Sequence, residues 1–190
     1  EPESQVQIQR NDGEWHVEET WPSNDIEWTT HDASEWGSLG IVSSSSSIIL
    51  TSNPLESDYH ISGLPTFHAQ VTANSCNGGQ LFVTMSDGTT GLRLGHATMD
   101  LRYRDGGYEA KSVTPFSSYT MLMQFNPMDV IIPEGHTIQL EITESGEDYL
   151  SSTCASAGIT LNGELPLSLP LIDRASSDER WFEVPPWWEE

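Results

Sequence analysis

The sequence predicts an all-β protein, a β-sandwich or jelly roll of the galactose-binding-like kind, and three observations support this prediction. Apolar and polar residues alternate in several short segments, which is the period-2 pattern of strands with one buried face. Turn-forming clusters such as NSCNGG and SDGTTG separate these segments. No segment offers three turns of an apolar repeat with a period of 3.6 residues, so no long helix is expected.

The first segment, residues 1–47, combines acidic residues with tryptophan and contains only short strand-like pieces. Its four tryptophans are Trp15, Trp21, Trp28 and Trp36. This aromatic content is too high for a disordered segment. We therefore expect an irregular, Trp-rich arm that packs on the sandwich and leads through a serine run, residues 43–47, into the first core strand.

Residues 48–175 are expected to form the jelly-roll core. Two segments, GQLFVTMS and TIQLEIT, each place three aliphatic side chains on one face of a strand. These side chains are Leu81, Val83 and Met85 in the first segment, and Ile138, Leu140 and Ile142 in the second. Further strand-like segments are SIILTS, FHAQVTA, YTMLMQF, DVII, AGITL and LPLSLPLI. Many short strands with Gly- and Asn-rich turns between them are typical of two packed sheets.

The last segment, residues 176–190, is an acidic tail that ends in DERWFEVPPWWEE. Its two adjacent prolines cannot continue a central strand. Large aromatic side chains in so short a tail would form an exposed apolar patch if they stayed in water. We expect four of them to dock onto this chain or onto a partner, namely Trp181, Phe182, Trp187 and Trp188.

The composition is strongly acidic, with 29 Asp and Glu against 7 Lys and Arg and a formal net charge of -22. Such a charge repels phosphate backbones and anionic lipid headgroups, so we expect neither nucleic acid nor a membrane as partner. No apolar run is long enough to span a bilayer as a helix. The scattered acids suit a surface adapted to high salt or kept from aggregating, and an extracellular or cell-surface location is expected.

Cys76 and Cys154 are the only cysteines. They are too few to form a zinc site alone and too far apart for a Cys-x-x-Cys redox motif. Two buried free thiols are one interpretation. We favour a disulfide, because the acidic, lysine-poor composition suits a protein outside the cell. In the chain-entropy model, closing a loop of this length contributes about 4 kcal/mol.

The sequence lacks the motifs of the common catalytic sites. It has no Gly-x-Ser-x-Gly elbow, no HExxH helix, no phosphate-binding loop with Gly-Lys-Ser/Thr and no GxGxxG. The six histidines are spread without metal-ligand spacing, at His16, His31, His60, His68, His96 and His136. We therefore predict no catalytic residue, no cofactor and no metal for this chain.

Two weaker alternatives concern ligands. The RYRDGGYE hairpin could offer Asp100, Asp105 and Glu109 to a structural calcium ion, although it lacks the regular oxygen pattern of a dedicated calcium loop. Solvated turn acids are the simpler interpretation. A tryptophan-rich sandwich could also bind carbohydrate, because sugar rings stack on exposed aromatic side chains. Most of these aromatics are expected to serve packing instead.

Five stretches, taken in order, resemble one known pattern. They are GEWHVEETWP, IILTSNPLESDYHISGLPTF, LRLGHATMDLRYR, TPFSSYTMLMQFNPMDVIIPEGHTIQLEIT and GITLNGELPLSLPLI. From Trp15 to Ile172 the chain resembles the C-terminal domain of the Xaa-Pro dipeptidyl-peptidase and cocaine esterase (CocE/NonD) family of serine hydrolases. The resemblance implies a β jelly roll packed against a catalytic α/β-hydrolase domain, which carries the family's Ser, Asp and His triad.

The family's signature strand begins Gly-His-Arg-Ile-Arg-Leu, and the corresponding stretch here is GHTIQL. The resemblance assigns a structural role to four of its residues, Gly135, His136, Ile138 and Leu140. The first two are expected to form a turn into a core strand. Thr137 and Gln139 replace the two arginines, which removes cations that could pair with carboxylates in this domain or on the hydrolase domain.

The resemblance thus predicts a non-catalytic domain that accompanies a serine hydrolase of the dipeptidyl-peptidase or acyl-esterase type and contributes stability, pocket walls or assembly. Its expected partner is an α/β-hydrolase catalytic domain or a copy of itself. One alternative is a carbohydrate-binding module. Another is a self-assembling structural or adhesive module, which would use its aromatic tail or an exposed sheet edge for docking.

Overall fold

The computed structural model describes residues 6–13, 15–146, 149–150 and 154–173. Within these residues the chain forms fourteen β-strands and two short 3-10 turns, and no α-helix. The strands are β1 (Val6–Gln9), β2 (Trp15–Glu18), β3 (Glu27–Asp32), β4 (Ile41–Val42), β5 (Ile48–Thr51), β6 (Tyr59–Gly63), β7 (Thr66–Ala73), β8 (Gln80–Asp87), β9 (Arg93–Asp100), β10 (Ser118–Gln124), β11 (Met128–Ile132), β12 (Ile138–Thr143), β13 (Ile159–Asn162) and β14 (Pro166–Leu171). The predicted all-β sandwich is confirmed, and its jelly-roll topology stays a prediction.

The larger sheet contains eight strands. Six follow one path in the order β11-β6-β14-β7-β13-β4, while β10 pairs with β7 and β3 pairs with β14. The pairings are antiparallel, and β10 lies along the full length of β7, from Ser118 opposite Thr72 to Gln124 opposite Thr66. Because β3 and β4 belong to this sheet, part of the Trp-rich segment contributes two strands to the sandwich.

The smaller sheet contains four strands in the order β5-β12-β8-β9. Leu140 of β12 lies opposite Met85 of β8, and Ile142 lies opposite Val83. These side chains are fully buried, whereas Glu141 between them is exposed. The predicted period-2 alternation is therefore confirmed along β12. In β8, Leu81, Val83 and Met85 are buried as predicted, and Phe82 on the opposite face is buried as well.

The core lies between the two sheets and consists of aliphatic, methionine and phenylalanine side chains. The largest fully buried ones include Phe67, Phe125, Leu50, Ile61, Leu81, Met85, Met121, Met123, Ile132, Ile138 and Leu140. Burying a side chain of this size contributes about 1.5–3 kcal/mol to folding. Contacts of this kind across the sandwich hold the two sheets together.

The N-terminal strands β1 and β2 form a separate two-stranded sheet. Asn11, in the turn between them, binds the edge strand β11 through both atoms of its side-chain amide. Its Nδ2 donates to the Ile131 carbonyl and its Oδ1 accepts from the Ile131 amide, each at 3.0 Å. This contact covers part of a sheet edge that would otherwise be open to pairing with another chain.

A disulfide joins Cys76 to Cys154, as the sequence predicts. Cys76 lies between β7 and β8, and Cys154 lies shortly before β13. The bond thus joins two connections, β7–β8 and β12–β13, each of which passes between the two sheets. The division at residues 47 and 175 stays a prediction. The tail residues Trp181, Phe182, Trp187 and Trp188 lie outside the described residues.

Candidate functional site

The turn at Gly135 and His136 ties the entry of β12 to the segment that follows β5. Gly135 has a φ of +80°, a conformation that glycine adopts without a steric cost. Its amide donates to the Leu55 carbonyl at 2.9 Å, and the Leu55 amide donates to the His136 carbonyl at 2.8 Å. The residues of the signature turn therefore form two backbone hydrogen bonds with one distant residue.

The His136 ring reaches a third segment, the turn between β8 and β9. Its Nδ1 lies 2.8 Å from Oδ2 of Asp87, which also accepts from the Thr90 hydroxyl at 2.6 Å. Asp87 Oδ1 accepts from the Thr89 amide at 2.9 Å. Burial raises the pKa of Asp87, but hydrogen bonds from Thr90, His136 and Thr89 outweigh this effect, and its pKa is lowered. An ionised carboxylate thus anchors the imidazole.

This geometry does not create a nucleophile and base. A histidine activates a serine or cysteine when one ring nitrogen contacts the nucleophile while a carboxylate orients the other. Within the described residues, Asp87 is the only side chain to which the His136 ring is hydrogen-bonded. The arrangement connects three chain segments and in this way supports the fold.

A second polar cluster contains a serine, an aspartate and a histidine. Ser62 Oγ donates to Asp129 Oδ2 at 2.8 Å, and His60 Nε2 lies 2.6 Å from Asp129 Oδ1. The aspartate therefore stands between the other two, whereas a catalytic triad has its histidine in the middle. The serine hydrogen points to a carboxylate, and Ser62 is buried. This order cannot transfer the serine proton to an imidazole.

Sequence reasoning missed this cluster, although two signals were present. The first is an aspartate inside an otherwise apolar strand, MDVII, since a buried carboxylate needs partners. The second is the spacing of His60 and Ser62, which places both side chains on one face of β6. Which strand lies beside β6 cannot be deduced from these signals.

The two residues that replace the signature arginines contact neutral groups. The Thr137 amide donates to the Thr89 hydroxyl at 3.1 Å, and Gln139 Nε2 donates to the Thr51 hydroxyl at 3.4 Å. Gly88 packs between them, because a β-carbon there would lie 2.6 Å from Thr137 Oγ1 and 3.1 Å from Gln139 Cβ. Thr137 thus binds the β8–β9 turn and Gln139 binds β5, and neither forms an ion pair within the described residues.

Two of the three acids considered as calcium ligands form ion pairs. Asp100 forms an ion pair with Arg102, with 2.6 Å between Oδ2 and Nη2, and Asp105 pairs with Lys111. Within the described ranges, no three His, Cys, Asp or Glu side chains converge closely enough to hold a metal ion. Asp100, Asp105 and Glu109 therefore do not form a calcium site in this structure.

A groove of about 330 Å³ lies between the N-terminal hairpin and the start of β11. Trp15, Trp21 and Met128 form apolar parts of its wall, and Asp129 lines it as well. The indole Nε1 of Trp21 is buried and has no hydrogen-bond partner in the described part of the chain. The groove thus presents aromatic surfaces beside a carboxylate.

No helix in the described part of the chain is long and apolar enough to cross a membrane. No curated protein sequence matches the chain significantly. Solved structures with the same fold exist, and three of them are instructive because each is an enzyme much longer than this chain.

The first is a CocE/NonD family hydrolase from Staphylococcus aureus, with a TM-score of 0.66, 10% identity and coverage of 88% of this chain and 41% of that one. An aminopeptidase from a marine sediment archaeon, Thaumarchaeota archaeon, gives a TM-score of 0.59 and 11% identity, with 86% and 39% covered. An α-amino acid ester hydrolase gives 0.54 and 12%, with 87% and 36% covered. These likenesses show a shared fold, and the chain spans about two-fifths of each structure's length.

One family matches most of the sequence. Residues 23–169 match the family described as the X-Pro dipeptidyl-peptidase C-terminal non-catalytic domain. The match includes β3 to β13 and most of β14, and it contains the signature turn and the polar cluster at Asp129. With its β-sandwich fold and this match, the chain belongs to the family of X-Pro dipeptidyl-peptidase C-terminal non-catalytic domains.

Proposed function

We propose that this chain is the accessory β-sandwich of a serine hydrolase of the X-Pro dipeptidyl-peptidase or acyl-esterase type, and that it stabilises the catalytic α/β-hydrolase domain and contributes to the walls of its substrate pocket. The family match over residues 23–169 carries this proposal. The β-sandwich fold shared with longer hydrolases supports it as well.

In the proposed enzyme, the reaction is acyl transfer to water through a serine acyl-enzyme. The nucleophile, its histidine base and the orienting carboxylate belong to the catalytic domain. This chain takes no part in bond making. Its rigid sheets can position loops at the mouth of the pocket and exclude water from it, which are contributions that a packed, non-catalytic domain can make.

We further propose an extracellular or cell-surface location in a salt-rich environment. The disulfide between Cys76 and Cys154 supports an oxidising compartment, because such bonds are rare in the cytosol of most organisms. The net charge of -22 supports a surface that stays soluble at high salt.

The test is an assay of three proteins on chromogenic X-Pro dipeptide and ester substrates: the polypeptide that carries this chain, its catalytic domain alone, and the 190-residue chain alone. We expect turnover by the first, a lower melting temperature or lower kcat/KM for the second, and none for the third. Turnover by the 190-residue chain that is lost in His136→Ala or Ser62→Ala would contradict a non-catalytic role.

The groove between the hairpin and β11 favours carbohydrate binding as a second candidate function. Trp15 and Trp21 offer aromatic surfaces for a sugar ring. Isothermal titration of the 190-residue chain with neutral oligosaccharides tests this candidate. Binding that disappears in Trp15→Ala, which removes one of these rings, would support it, and no binding to the wild-type chain would exclude it for those sugars.

A further inference from the structure

The long connection between β9 and β10, the 101–117 loop, is held in a defined shape. Leu101 and Val113 are buried in the hydrophobic core. The Lys111 amide donates to the Arg102 carbonyl at 2.8 Å, and Arg104 Nη1 donates to the Leu101 carbonyl at 3.0 Å. Long loops that are packed by their own contacts are commonly functional surfaces.

The second half of the loop is fixed on β10. The Arg104 guanidinium lies 4.5 Å from the centroid of the Tyr119 ring, within the range of a cation–π contact. The Tyr119 hydroxyl accepts a hydrogen bond from the Thr114 amide at 2.8 Å. The side chains that the loop turns outward are therefore presented from a supported backbone.

Three of those outward side chains are aromatic. Tyr103, Tyr108 and Phe116 are 36%, 103% and 75% exposed, respectively. Phe116 also has a φ of +63°, in a region that side-chain-bearing residues rarely adopt, and its amide donates to the Ala73 carbonyl at 2.7 Å. A strained backbone that holds a large ring in water brings no benefit to the isolated domain, which suggests a role in binding.

The same loop carries an unusual share of the positive charge. Arg102, Arg104 and Lys111 stand against Asp105 and Glu109, so the loop has a formal charge of +1 in a chain of -22. Protein interfaces are enriched in aromatic residues and arginine at their centre and depleted of acids. The 101–117 loop is therefore the part of this acidic surface whose composition suits contact with another protein.

We propose that the 101–117 loop is the surface on which the catalytic α/β-hydrolase domain docks, an inference that rests on the proposed function. This chain spans about two-fifths of the enzymes with the same fold, so a large partner on the same polypeptide is expected beside the sandwich. Tyr108 and Phe116 offer the exposed aromatic surface that such an interface buries. A second copy fits less well, because two chains that each carry a net charge of -22 repel one another.

Hydrogen–deuterium exchange locates the surface. Exchange is compared between the 190-residue chain and the full polypeptide that carries it with its catalytic domain. We expect amides of the 101–117 loop to exchange at least about tenfold more slowly in the full polypeptide. Protection confined to other segments would overturn the docking surface and leave the proposed function standing. No protection on any segment would contradict both.

Two substitutions separate docking from folding. Phe116→Gly removes the ring and relieves the positive φ, so it should raise the melting temperature of the 190-residue chain while weakening its binding to the separately expressed catalytic domain at least about tenfold. Tyr108→Ser should weaken binding without changing that melting temperature. Trp28→Ser is the control, because Trp28 is 54% exposed on β3 and outside the loop.

Equal losses of binding in the control and the loop variants would overturn the proposal. So would unchanged binding in both loop variants. Sedimentation of the 190-residue chain covers the remaining possibility. A dimer that Phe116→Gly converts to monomer would assign the loop to self-association and would also overturn the proposal.

Discussion

Glu144 is a buried carboxylate directly after β12, and its residue is only 1% exposed. Neither of its carboxylate oxygens has a hydrogen-bond partner in the described part of the chain. Burial raises the pKa of Glu144. The backbone amide of Ser44 lowers this pKa by a smaller amount, so the net shift is upward. The folded state therefore favours the protonated acid, and ionisation of Glu144 destabilises it.

We predict that Glu144→Gln stabilises the protein at neutral pH relative to the wild type. Below about pH 4, where the acid is protonated in both states, the advantage should vanish, and it should grow as the pH rises through the folded pKa. Each unit of the raised pKa corresponds to about 1.4 kcal/mol. Urea unfolding across this pH range measures the difference. Glu141→Gln is the control, since Glu141 is exposed. If the free energy of unfolding changed with pH equally in the two variants, the prediction would be contradicted.

Asp87 shows the opposite dependence on pH. Because its folded pKa is lowered, it stabilises the protein above about pH 4 and loses this contribution as the pH falls through the folded value. Asp87→Asn should therefore lower the free energy of unfolding at pH 7 by about 1.5–3 kcal/mol, the range for hydrogen bonds to a charged group. In the variant, the free energy of unfolding should also fall less steeply as the pH drops below about 4.

Unfolding in urea at neutral and acidic pH checks the Asp87→Asn prediction. Asp25→Asn is a suitable comparison, because Asp25 is exposed and its carboxylate accepts no hydrogen bond from the described residues. An Asp87→Asn variant as stable as the wild type at pH 7 would show that the His136 contact does not support the fold.

At the scale of elements, the disulfide links two turns that are 78 residues apart in sequence. Its main effect is to restrict the unfolded chain. We predict that the double substitution Cys76→Ser and Cys154→Ser lowers the free energy of unfolding by about 4 kcal/mol. Guanidinium unfolding with and without reductant should show this loss for the wild type and no effect of reductant on the variant. A loss below about 1 kcal/mol would mean that the unfolded state is already restricted.

Asn11 protects the edge of the larger sheet through its two hydrogen bonds to Ile131. We predict that Asn11→Ala costs about 1 kcal/mol and exposes β11 to pairing with a second chain. Faster exchange of the Ile131 amide and a concentration-dependent rise in sedimentation coefficient would be the signs. Asn53→Ala is the control, because Asn53 is exposed and its side chain forms no hydrogen bond to β11 in the described part of the chain. Unchanged exchange at Ile131 would show that the hairpin does not shield the strand.

At the scale of the whole molecule, the net charge of -22 opposes compaction. Raising NaCl from about 0.01 M to about 0.15 M shortens the Debye length from about 30 Å to about 8 Å and screens this repulsion. We predict a higher melting temperature with salt over this range, by about 2–4 °C for each kcal/mol of repulsion removed. Calorimetry measures the shift. A melting temperature that stays constant or falls would show that the charges are spaced too widely to repel.

The short apolar and alternating segments of the sequence located β5, β7, β8 and β10 to β14, because the burial of one strand face is visible in the local pattern. They did not single out β6 or β9. It also indicated the disulfide from the only two cysteines, and the family from the order of five stretches. These features need no knowledge of which segments are neighbours. The part of residues 1–47 that enters the larger sheet as β3 and β4 was not foreseen, since such short strands carry little alternation.

Only the tertiary structure decided which side chains meet. His60 and Asp129 are 69 residues apart in sequence, and Asp87 and His136 are 49 apart, yet each pair is in contact. Strand order and register bring them together, and a slip of one residue would turn each side chain to the other face. The same long-range pairing places β10 on β7 and supports the 101–117 loop. These contacts therefore depend on long-range strand pairing that no local pattern encodes.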